Sequence, residues 1–537
     1  MRVGLRAVGT VLVVVAGASW QTAARQTPSS VSAAGVQLKQ VAYLKGSNTK
    51  AGDHFGCGGV LDGHAGYGAA LSGDGNTLAI GAPHEGSGAK GVNGKQSGEV
   101  YGSGAVYVYA RSGATWAQQA YVKPSNPQMG AEFGHAVVLS ADGNTMAVSA
   151  YWEASKATGI NGDQSDESIP QAGAVYIFTR TGTTWTQQAY VKASNTGEAG
   201  TEDKFGDGDQ FGVSLALSDD GRTLAVGAIS EDSASAGING NQADNSATSA
   251  GAVYVYLRTG NTWAQQAYIK ASNPDPADMF GYSVALSADG NTLAVGSYDE
   301  SGSFRGINGP PDNMRRGAGA VYVFTRTSTT WAQEAYIHAS NAEAGDSLGV
   351  MVALSDDGNT LLTASLDEDC LATGVNPQGC DDDRAADRSS GAGYIFVRTG
   401  GKWTEQAFLK ASNSGANDWF ASRSALSGDG NTAALGASLE DSSGRGVDGK
   451  QDDDKAPESG AVYFFRRTGG AWSQQHYVKS ANADAYDEFG GSVALSRDGR
   501  TMVVSAHSED GSSHGVGGNQ ADNGSNEAGA AYVFTAN

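Results

Sequence analysis

One short sequence recurs seven times along the chain, and this repetition limits the possible folds more than any other feature. It reads Ser-x-Asp-Gly, followed by Asn or Arg and then Thr. Its aspartates are Asp74, Asp142, Asp220, Asp289, Asp357, Asp429 and Asp498. A spacing of about 70 residues over most of the chain predicts copies of one supersecondary unit rather than a series of unrelated domains.

Each unit reads as four short strands rich in Val, Tyr, Phe and Leu. In the third unit these are strand A (residues 211–218), strand B (222–228), strand C (251–258) and strand D (262–272), with a long polar loop between B and C. Strands B and C are apolar at consecutive positions, which indicates burial of both sheet faces. Four-stranded sheets that pack face to face around an axis form a β-propeller.

The two ends of the chain predict that the propeller closes. The last unit stops after strand C, while residues 38–45 (LKQVAYLK) align with strand D of the first unit (WAQQAYVK, residues 116–123). We therefore predict an all-β, seven-bladed β-propeller over residues 36–537, closed by pairing of the N-terminal strand with the last blade. An open solenoid or a string of separate domains is the alternative, but neither requires complementary ends.

Residues 1–25 resemble a secretory signal peptide. Arg2 and Arg6 precede a short apolar stretch, and small residues suited to cleavage follow at Ala16 and Ala18 or at Ala23 and Ala24. The stretch is too short for an ordinary transmembrane helix, and an uncleaved anchor is the alternative. No other segment is long and apolar enough to span a membrane. We expect a secreted, cell-surface or periplasmic protein.

The charge balance excludes some partners. Thirty-five basic and fifty-seven acidic residues give a net charge of −22, which disfavours nucleic acid and anionic membranes as partners. The excess is compatible with cation binding and also with simple solubility.

Three cysteines are present. Cys370 and Cys380 lie ten residues apart in one acidic loop, and in an oxidising compartment we expect them to form a disulfide. Cys57 remains, and we interpret it as an unpaired bystander rather than a nucleophile.

The unit resembles the FG-GAP repeat of integrin-α-type propellers. Phe-Gly stands at 133–134, 211–212, 280–281 and 489–490, while Gly-Ala-Pro is literal only at 81–83 and relaxed elsewhere. Unit five departs most, with Leu348-Gly349 and Ala364-Ser365, and unit six has Phe420-Ala421. The resemblance covers roughly Leu38 to Phe534 and implies an extracellular binding module with calcium loops between strands A and B.

The connection between strands A and B does not match such a calcium loop. Calcium needs six to eight oxygen ligands, whereas Ser-x-Asp-Gly-[Asn/Arg]-Thr supplies one or two carboxylates. Asp-Gly and Gly-Asn pairs suit a tight hairpin turn, because they tolerate positive φ. We interpret this turn as structural.

The loop between strands B and C is a better calcium candidate, because its acidic pair and its Gly, Asn, Gln and Asp residues recur from unit to unit. The candidate ligands in the third unit are Glu231, Asp232, Asn239, Asn241, Asp244 and Asn245. The alternative is that these side chains cap the backbone of the loop itself. Asp203, Asp207 and Asp209 form a second, unrepeated oxygen cluster.

Strand D carries two further repeated features. An aromatic row could bind sugars, but packing between blades is the favoured interpretation; it comprises Trp116, Trp185, Trp263, Trp331, Trp403 and Trp472. A lysine near the end of the strand is predicted to be an edge-protecting charge; it recurs as Lys123, Lys192, Lys270, Lys410 and Lys479.

Three functions remain open. The first is a monomeric surface module for binding or adhesion, which contacts an extracellular protein or polysaccharide. This module depends on calcium if the B–C loops bind the ion. The second is a structural or assembly component of the cell surface. The third is a propeller-based polysaccharide lyase or hydrolase, although no nucleophile motif or distinctive acid–base group is present. The sequon at Asn523 predicts a glycoprotein if the host glycosylates.

Overall fold

Every regular element in the described part of the chain is a β-strand. The computed structural model describes residues 36–57, 68–197, 208–380 and 389–537. Twenty-nine strands form seven antiparallel sheets. Six sheets have four strands and one has five. This arrangement confirms the predicted all-β, seven-bladed propeller. The proposed signal segment, residues 1–25, lies outside the described residues.

The strands are numbered in chain order, and within a blade they are called A to D from the axis outward. The first strand, β1 (Leu38–Leu44), belongs to the last blade. Blade 1 contains β2 (Ala69–Leu71), β3 (Thr77–Ala82), β4 (Ala105–Ser112) and β5 (Thr115–Val122). Blade 2 contains β6 (Val137–Leu139), β7 (Thr145–Ala150), β8 (Ala174–Thr181) and β9 (Thr184–Val191). Blade 3 contains β10 (Leu215–Leu217), β11 (Thr223–Ala228), β12 (Ala252–Thr259) and β13 (Thr262–Ile269).

The remaining blades follow the same order, with one extra strand in blade 5. Blade 4 contains β14 (Ser283–Leu286), β15 (Thr292–Ser297), β16 (Ala320–Thr327) and β17 (Thr330–Ile337). Blade 5 contains β18 (Leu348–Leu354), β19 (Thr360–Ser365), the extra β20 (Gly374–Val375), β21 (Ala392–Thr399) and β22 (Lys402–Lys410). Blade 6 contains β23 (Arg423–Leu426), β24 (Thr432–Ala437), β25 (Ala461–Thr468) and β26 (Ala471–Val478). Blade 7 contains β27 (Phe489–Leu495), β28 (Thr501–Ala506) and β29 (Ala530–Ala536).

Blade 7 is completed by the N-terminal strand, as the sequence predicted. Its strand order is β1-β29-β28-β27, and β1 pairs antiparallel with β29, Leu38 opposite Ala536 and Tyr43 opposite Tyr532. The innermost strands of neighbouring blades contact one another all the way round. The ring is therefore closed, and residues 36–537 form one compact unit.

A buried apolar cluster lies between each pair of neighbouring blades. Between blades 3 and 4, for example, Val253 and Val255 of β12 pack against Phe280 and Tyr322 of the next blade. Both faces of each sheet are covered in this way, which explains the consecutive apolar residues of strands B and C.

The Phe-Gly pair explains why strand A is shorter than predicted. The sequence predicts strand A over residues 211–218, but β10 begins only at Leu215. Phe211 instead packs on Tyr254 and Tyr256 of its own blade, with ring centroids 5.4 and 6.2 Å away. Gly212 follows with φ of 102°, a conformation that favours glycine and here interrupts the extended backbone before β10.

The propeller has two distinct faces. The loop face is formed by the long B–C loops and by the connections from strand D to the next strand A, which in blade 3 are residues 229–251 and 270–282. The turn face is formed by the short A–B and C–D turns, which in blade 3 are residues 218–222 and 259–262.

Candidate functional site

Glu231, the first candidate calcium ligand, is the centre of a buried hydrogen-bond network. Its carboxylate accepts bonds from Lys270 Nζ at 2.8 Å and from the Tyr268 hydroxyl at 2.6 Å. Asn195 Nδ2 and the Ser233 backbone N–H also donate to it, both at 3.1 Å. The carboxylate therefore fixes the start of the B–C loop to strand D and to the preceding D–A connection.

The same ion pair recurs around the ring, and it corrects the interpretation of the lysines as edge-protecting charges. Each of these lysines has no solvent exposure. The pairs, with N–O distances of 2.7 to 2.9 Å, are Lys45–Glu509, Lys123–Glu85, Lys192–Glu153, Lys270–Glu231 and Lys479–Glu440. In blade 4 His338 stands in the lysine position, 3.5 Å from Glu300. A buried charge requires a partner, which the repeated glutamate supplies in these five blades, while Lys410 donates to Ser390 Oγ and to Gly391 O.

Four of the other candidate ligands accept backbone N–H bonds, three from their own loop and one, at Asn239, from strand D. Asp232 Oδ1 accepts from Ser249 N at 2.8 Å, and Asp244 Oδ2 accepts from Ala234 N at 3.0 Å. Asn239 Oδ1 accepts from Tyr268 N at 3.0 Å, and Asn241 Oδ1 accepts from Ala243 N at 3.1 Å. The bonds within the loop are those expected of self-capping, whereas the Asn239 bond fastens the loop to strand D.

The calcium assignment is not decided by these bonds. Asn245, the sixth candidate, is exposed. Within the described ranges no group of three or more His, Cys, Asp or Glu side chains is placed to hold a metal ion. Of the second predicted oxygen cluster, Asp203 and Asp207 lie outside the described residues, and Asp209 is buried and accepts a bond from Gly197 N at 2.8 Å. Calcium at the B–C loop stays a prediction.

The cysteines lie in two places. Cys370 and Cys380 are joined by a disulfide with a Cα–Cα distance of 5.4 Å, which fastens the B–C loop of blade 5. Cys57 is buried and directly follows Phe55-Gly56, the Phe-Gly pair of blade 1.

The Ser-x-Asp-Gly turn is a hairpin turn held by its own side chains. In blade 3, Ser218 Oγ donates to Asp220 Oδ1 at 2.7 Å, Arg222 N donates to the same oxygen at 3.0 Å, and Thr223 N donates to Ser218 Oγ at 2.9 Å. The repeated Ser, Asp and Thr are thus explained by the geometry of the turn.

The variable residue of this turn forms a ring that the sequence did not reveal. In each blade the backbone N–H of this residue donates to the backbone carbonyl of the equivalent residue in the next blade, with N–O distances of 2.8 to 3.0 Å. The last blade bonds to the first, which closes the ring. The members are Gly73, Ala141, Asp219, Ala288, Asp356, Gly428 and Arg497. This circle of seven hydrogen bonds surrounds the axis at the turn face.

Ion pairs cross this ring. Arg497 Nε lies 2.7 Å from Asp356 Oδ2, and the same guanidinium contacts Asp219. A Cβ at Gly428 would lie 2.3 Å from Asp356 Oδ2, so the glycine leaves space for the pair. Behind it lies an apolar central channel of about 260 Å³, lined by strands A of blades 1 to 5. The turn-face end of the channel is therefore occupied by Arg497 and its partners.

At the loop face, the residue before the Phe-Gly position varies among six residue types over the seven blades, although its backbone conformation does not. Its φ lies between 50° and 61° throughout, in the left-handed region. These residues are His54, Glu132, Gln210, Met279, Ser347, Trp419 and Glu488. A left-handed conformation costs a residue other than glycine about 1 kcal/mol or more. The repeated scaffold therefore holds six kinds of side chain in one strained position.

Histidines gather on one side of this mouth. The His54 ring lies 4.9 Å from that of His84 and 6.2 Å from that of His507. His507 Nε2 is 3.1 Å from Glu488, and His84 Nε2 is 3.5 Å from Glu132. Burial, together with the two neighbouring imidazoles, lowers the pKa of His54 to about 3. His54 is therefore neutral at ordinary pH and serves as a packing group.

Six buried aspartates stand two residues before the Phe-Gly position, directly before the residue with the left-handed backbone. Only Asp209 among them was identified from the sequence. Each accepts a backbone N–H from three residues upstream or, at Asp209, from Gly197, at 2.7 to 2.9 Å. Burial is the main cause of their raised pKa values, which the backbone bond partly offsets. The values are about 6 for Asp53, about 7 for Asp209, Asp418 and Asp487, and about 8 for Asp278 and Asp346. Their repetition before Phe-Gly was the available signal.

Large exposed apolar side chains concentrate on the loop face. Among the described residues these are Val41, Tyr101, Met129, Met314, Leu371, Tyr486 and Val516. All but Val41 belong to B–C loops or D–A connections. Tyr101 is 73% and Met129 79% exposed, and the two are adjacent because Gly130 N donates to Tyr101 O. Tyr486 is 59% exposed with φ of 70°.

The tryptophan row is buried, in agreement with the packing interpretation. The six side chains are between 2% and 6% exposed, and each lies under an arginine of strand C. In blade 3, Trp263 Nε1 donates to Gln188 of the preceding blade at 2.9 Å. The row therefore joins blades and offers no open surface for sugar stacking.

No helix in the described ranges is long and apolar enough to cross a membrane. The sequon residue Asn523 is exposed, and its side chain donates to Asp484 at 3.0 Å.

The match to a family model agrees with the repeat geometry. A family model described as FG-GAP repeat matches residues 263–324, 403–465 and 472–534, each running from strand D of one blade to strand C of the next. No curated protein is similar in sequence to this chain. Among solved structures, hydrazine synthase of Kuenenia stuttgartiensis is 13% identical, covers 81% of this chain and 91% of its own, and has a TM-score of 0.42. The RRP9 WD40 repeats are 8% identical, cover 94% and 100%, and have a TM-score of 0.47. The protein is a seven-bladed β-propeller that carries FG-GAP repeats, like the propellers of integrin α chains.

Proposed function

We propose that this propeller is an exported binding module whose loop face contacts an extracellular protein or polysaccharide. The observation that carries the proposal is the concentration of exposed apolar side chains on that face. Exposed apolar patches mark interaction sites, and Tyr and Met are enriched at the centres of interfaces. Tyr101, Met129 and Tyr486 are therefore the first candidates for contact.

The buried networks support this role by making the face rigid. Glu231 and its five counterparts in the ion pairs and at His338 fasten the start of their B–C loops, and Asp232, Asn239 and Asp244 hold the path of the loop in blade 3. A partner then meets a preformed surface, so that little ordering entropy is lost on binding.

Calcium-dependent adhesion is a narrower form of the same proposal. It requires that the candidate oxygens of the B–C loop bind the ion in addition to their backbone bonds. A carboxylate has lone pairs for both, and Asp232 and Asp244 are the residues to test first.

The test uses fluorescently labelled full chain, added to intact cells of the producing organism with and without calcium. A loop-face variant combines Tyr101→Ser, Met129→Ser and Tyr486→Asn, the last because Asn417 stands at that position in blade 6. A turn-face control combines Lys402→Gln and Arg500→Asn.

Saturable binding that the loop-face variant loses and the turn-face control keeps would support the proposal. Absence of binding by the unchanged protein, or equal loss in both variants, would refute it. Loss of binding on calcium removal alone would assign the narrower, calcium-dependent form.

A further inference from the structure

A side-chain clamp joins the outer strands of neighbouring blades. It consists of the strand D tryptophan, the strand C arginine and an acceptor on the preceding blade. In blade 2, Trp185 Nε1 and Arg180 Nη1 donate to Gln119 Oε1 of blade 1 at 2.9 and 3.3 Å. In blades 3 to 6 an acceptor at the same position receives one or both of these bonds. These acceptors are Gln188, Gln266, Glu334 and Gln406. Five consecutive junctions are therefore clamped.

Blade 7 has this clamp on neither side. Leu38 and Ala536 stand at its tryptophan and arginine positions, and the amide of Gln475 in blade 6 donates to its own strand. On the other side Val41 stands at the acceptor position, and Trp116 Nε1 of blade 1 has no hydrogen-bond partner among the described residues. The closing strand β1 therefore lacks the attachment that every other outer strand has on at least one side.

A histidine of blade 6 fastens the start of β1 instead. His476 Nε2 lies 2.6 Å from the backbone oxygen of Val36, two residues before β1. His476 Nδ1 lies 2.9 Å from Asp448 Oδ2, in the B–C loop of the same blade. The histidine side chain is 12% exposed and the aspartate side chain 58% exposed, so solvent reaches the pair. The ring links β1 to blade 6 at a junction where the clamp is missing.

Blade 6 departs from the repeat at both residues of this pair. Alanine stands at the position of His476 in the other six blades, as Ala42, Ala120, Ala189, Ala267, Ala335 and Ala407. Asparagine stands at the position of Asp448 in blades 1 to 5, as Asn93, Asn161, Asn239, Asn308 and Asn376. Each asparagine Oδ1 accepts a backbone N–H of strand D, and Asp448 Oδ1 keeps this bond, from Tyr477 N at 3.2 Å. The departure therefore adds an imidazole and the carboxylate oxygen that it contacts.

The arrangement requires a charged imidazole. Both ring nitrogens of His476 face oxygens that only accept, a backbone carbonyl and a carboxylate, and only the doubly protonated ring donates from both nitrogens. Within the described ranges, Asp448 is the charged group that contacts the ring. The other ring neighbour, Phe464 of β25, is uncharged and lies 6.2 Å away between centroids, and Lys39 of β1 is exposed.

We propose that β1 is a pH-sensitive closing strand, which doubly protonated His476 holds at acid pH and which opens from its N-terminal end when the imidazole loses a proton. Histidine ordinarily changes its charge between about pH 5 and pH 8. The neutral ring keeps one N–H, so the bond to Val36 or the bond to Asp448 is lost.

The opening is confined to one end of the strand. Tyr43 and Lys45 donate to the buried carboxylate of Glu509 at 2.9 and 2.7 Å, and these bonds hold the C-terminal end of β1. The N-terminal end, residues 36–41, then separates from β29 and leaves part of the β29 edge unpaired. This opening does not depend on the binding role proposed above.

Hydrogen–deuterium exchange of the full chain, followed by mass spectrometry, measures the opening. Exchange rates at pH 5 and pH 8 are divided by the intrinsic rate at each pH to give protection factors. Residues 36–41 are compared with β13 of blade 3, which has Ala267 and Asn239 at the two positions, so that a change in global stability affects both. We expect the protection of residues 36–41 to fall about tenfold more than that of β13, the effect of losing one charge-assisted hydrogen bond.

Two variants restore the repeat at this site. His476→Ala removes the attachment and should lower the protection of residues 36–41 at both pH values. Asp448→Asn offers an amide N–H to the neutral imidazole, so both bonds survive deprotonation and the pH difference should disappear. Asn239→Asp is the matched control, because it introduces the same carboxylate in blade 3, where alanine stands at the histidine position. It should leave the pH response of β1 unchanged.

Circular dichroism verifies that the three variants are folded. An equal pH response of residues 36–41 and β13 would overturn the proposal. Unchanged protection in His476→Ala, or a pH response that survives in Asp448→Asn, would overturn it as well.

Discussion

Removal of one buried lysine tests whether the repeated ion pairs hold the B–C loops. Lys270 has no solvent exposure, its Nζ lies 2.8 Å from Glu231 Oε2, and burial lowers the pKa of the lysine. Lys270→Met keeps the length of the side chain and removes its charge. Glu231 then remains buried with three neutral donors, which we expect to cost 3–5 kcal/mol, roughly the value for one half of a buried pair.

The double variant Glu231→Gln with Lys270→Met separates the charge from the packing. Because no uncompensated charge remains, we expect it to be less destabilised than Lys270→Met alone, by about 2 kcal/mol. The assay is equilibrium urea unfolding of the full chain, followed by tryptophan fluorescence and circular dichroism.

A surface pair supplies the control. Lys156 and Asp166 lie 3.2 Å apart, with the lysine 64% exposed, and Lys156→Met is expected to leave the midpoint unchanged because solvent screens exposed pairs. If Lys270→Met cost less than about 1 kcal/mol, or the double variant were no better than the single one, the argument from an unpaired buried charge would be refuted.

Four further outcomes are expected. The six aspartates before Phe-Gly have pKa values that are higher in the folded than in the unfolded chain. Their contribution to the free energy of unfolding is therefore complete below about pH 4 and is lost as the pH rises through 6 to 8. We expect the unfolding midpoint to be higher at pH 5 than at pH 8. Asp278→Asn should flatten that slope; an unchanged slope would contradict the assignment. Self-capping of the B–C loops predicts the same midpoint in calcium and in chelator, whereas an ion at a hundred times its Kd would add about 2.7 kcal/mol that Asp232→Ala and Asp244→Ala remove. Gly227→Ala places a Cβ 2.1 Å from a backbone oxygen of blade 4 and should cost about 1–3 kcal/mol, unlike Gly86→Ala, whose nearest neighbour is 3.7 Å away. N-terminal sequencing of the exported chain should begin after residue 18 or residue 24, and recovery of an intact N-terminus would favour the anchor.

The sequence alone determined the architecture, because the architecture depends on local and periodic signals. Consecutive apolar residues in strands B and C require burial of both sheet faces, and the seven turns count the blades. The alignment of residues 38–45 with strand D of the first unit is enough to predict closure, which β1 and β29 realise. The turn at Asp220 was likewise predictable, since its hydrogen bonds join residues within five positions.

The tertiary structure alone decided what the polar residues do, because their partners are far apart in the sequence. Lys270 is a buried ion rather than an edge charge, since Glu231 stands 39 positions before it. Arg497 crosses the axis because Asp219 and Asp356 come from other blades. A repeat specifies the unit, whereas the packing of units around an axis specifies which unlike residues meet.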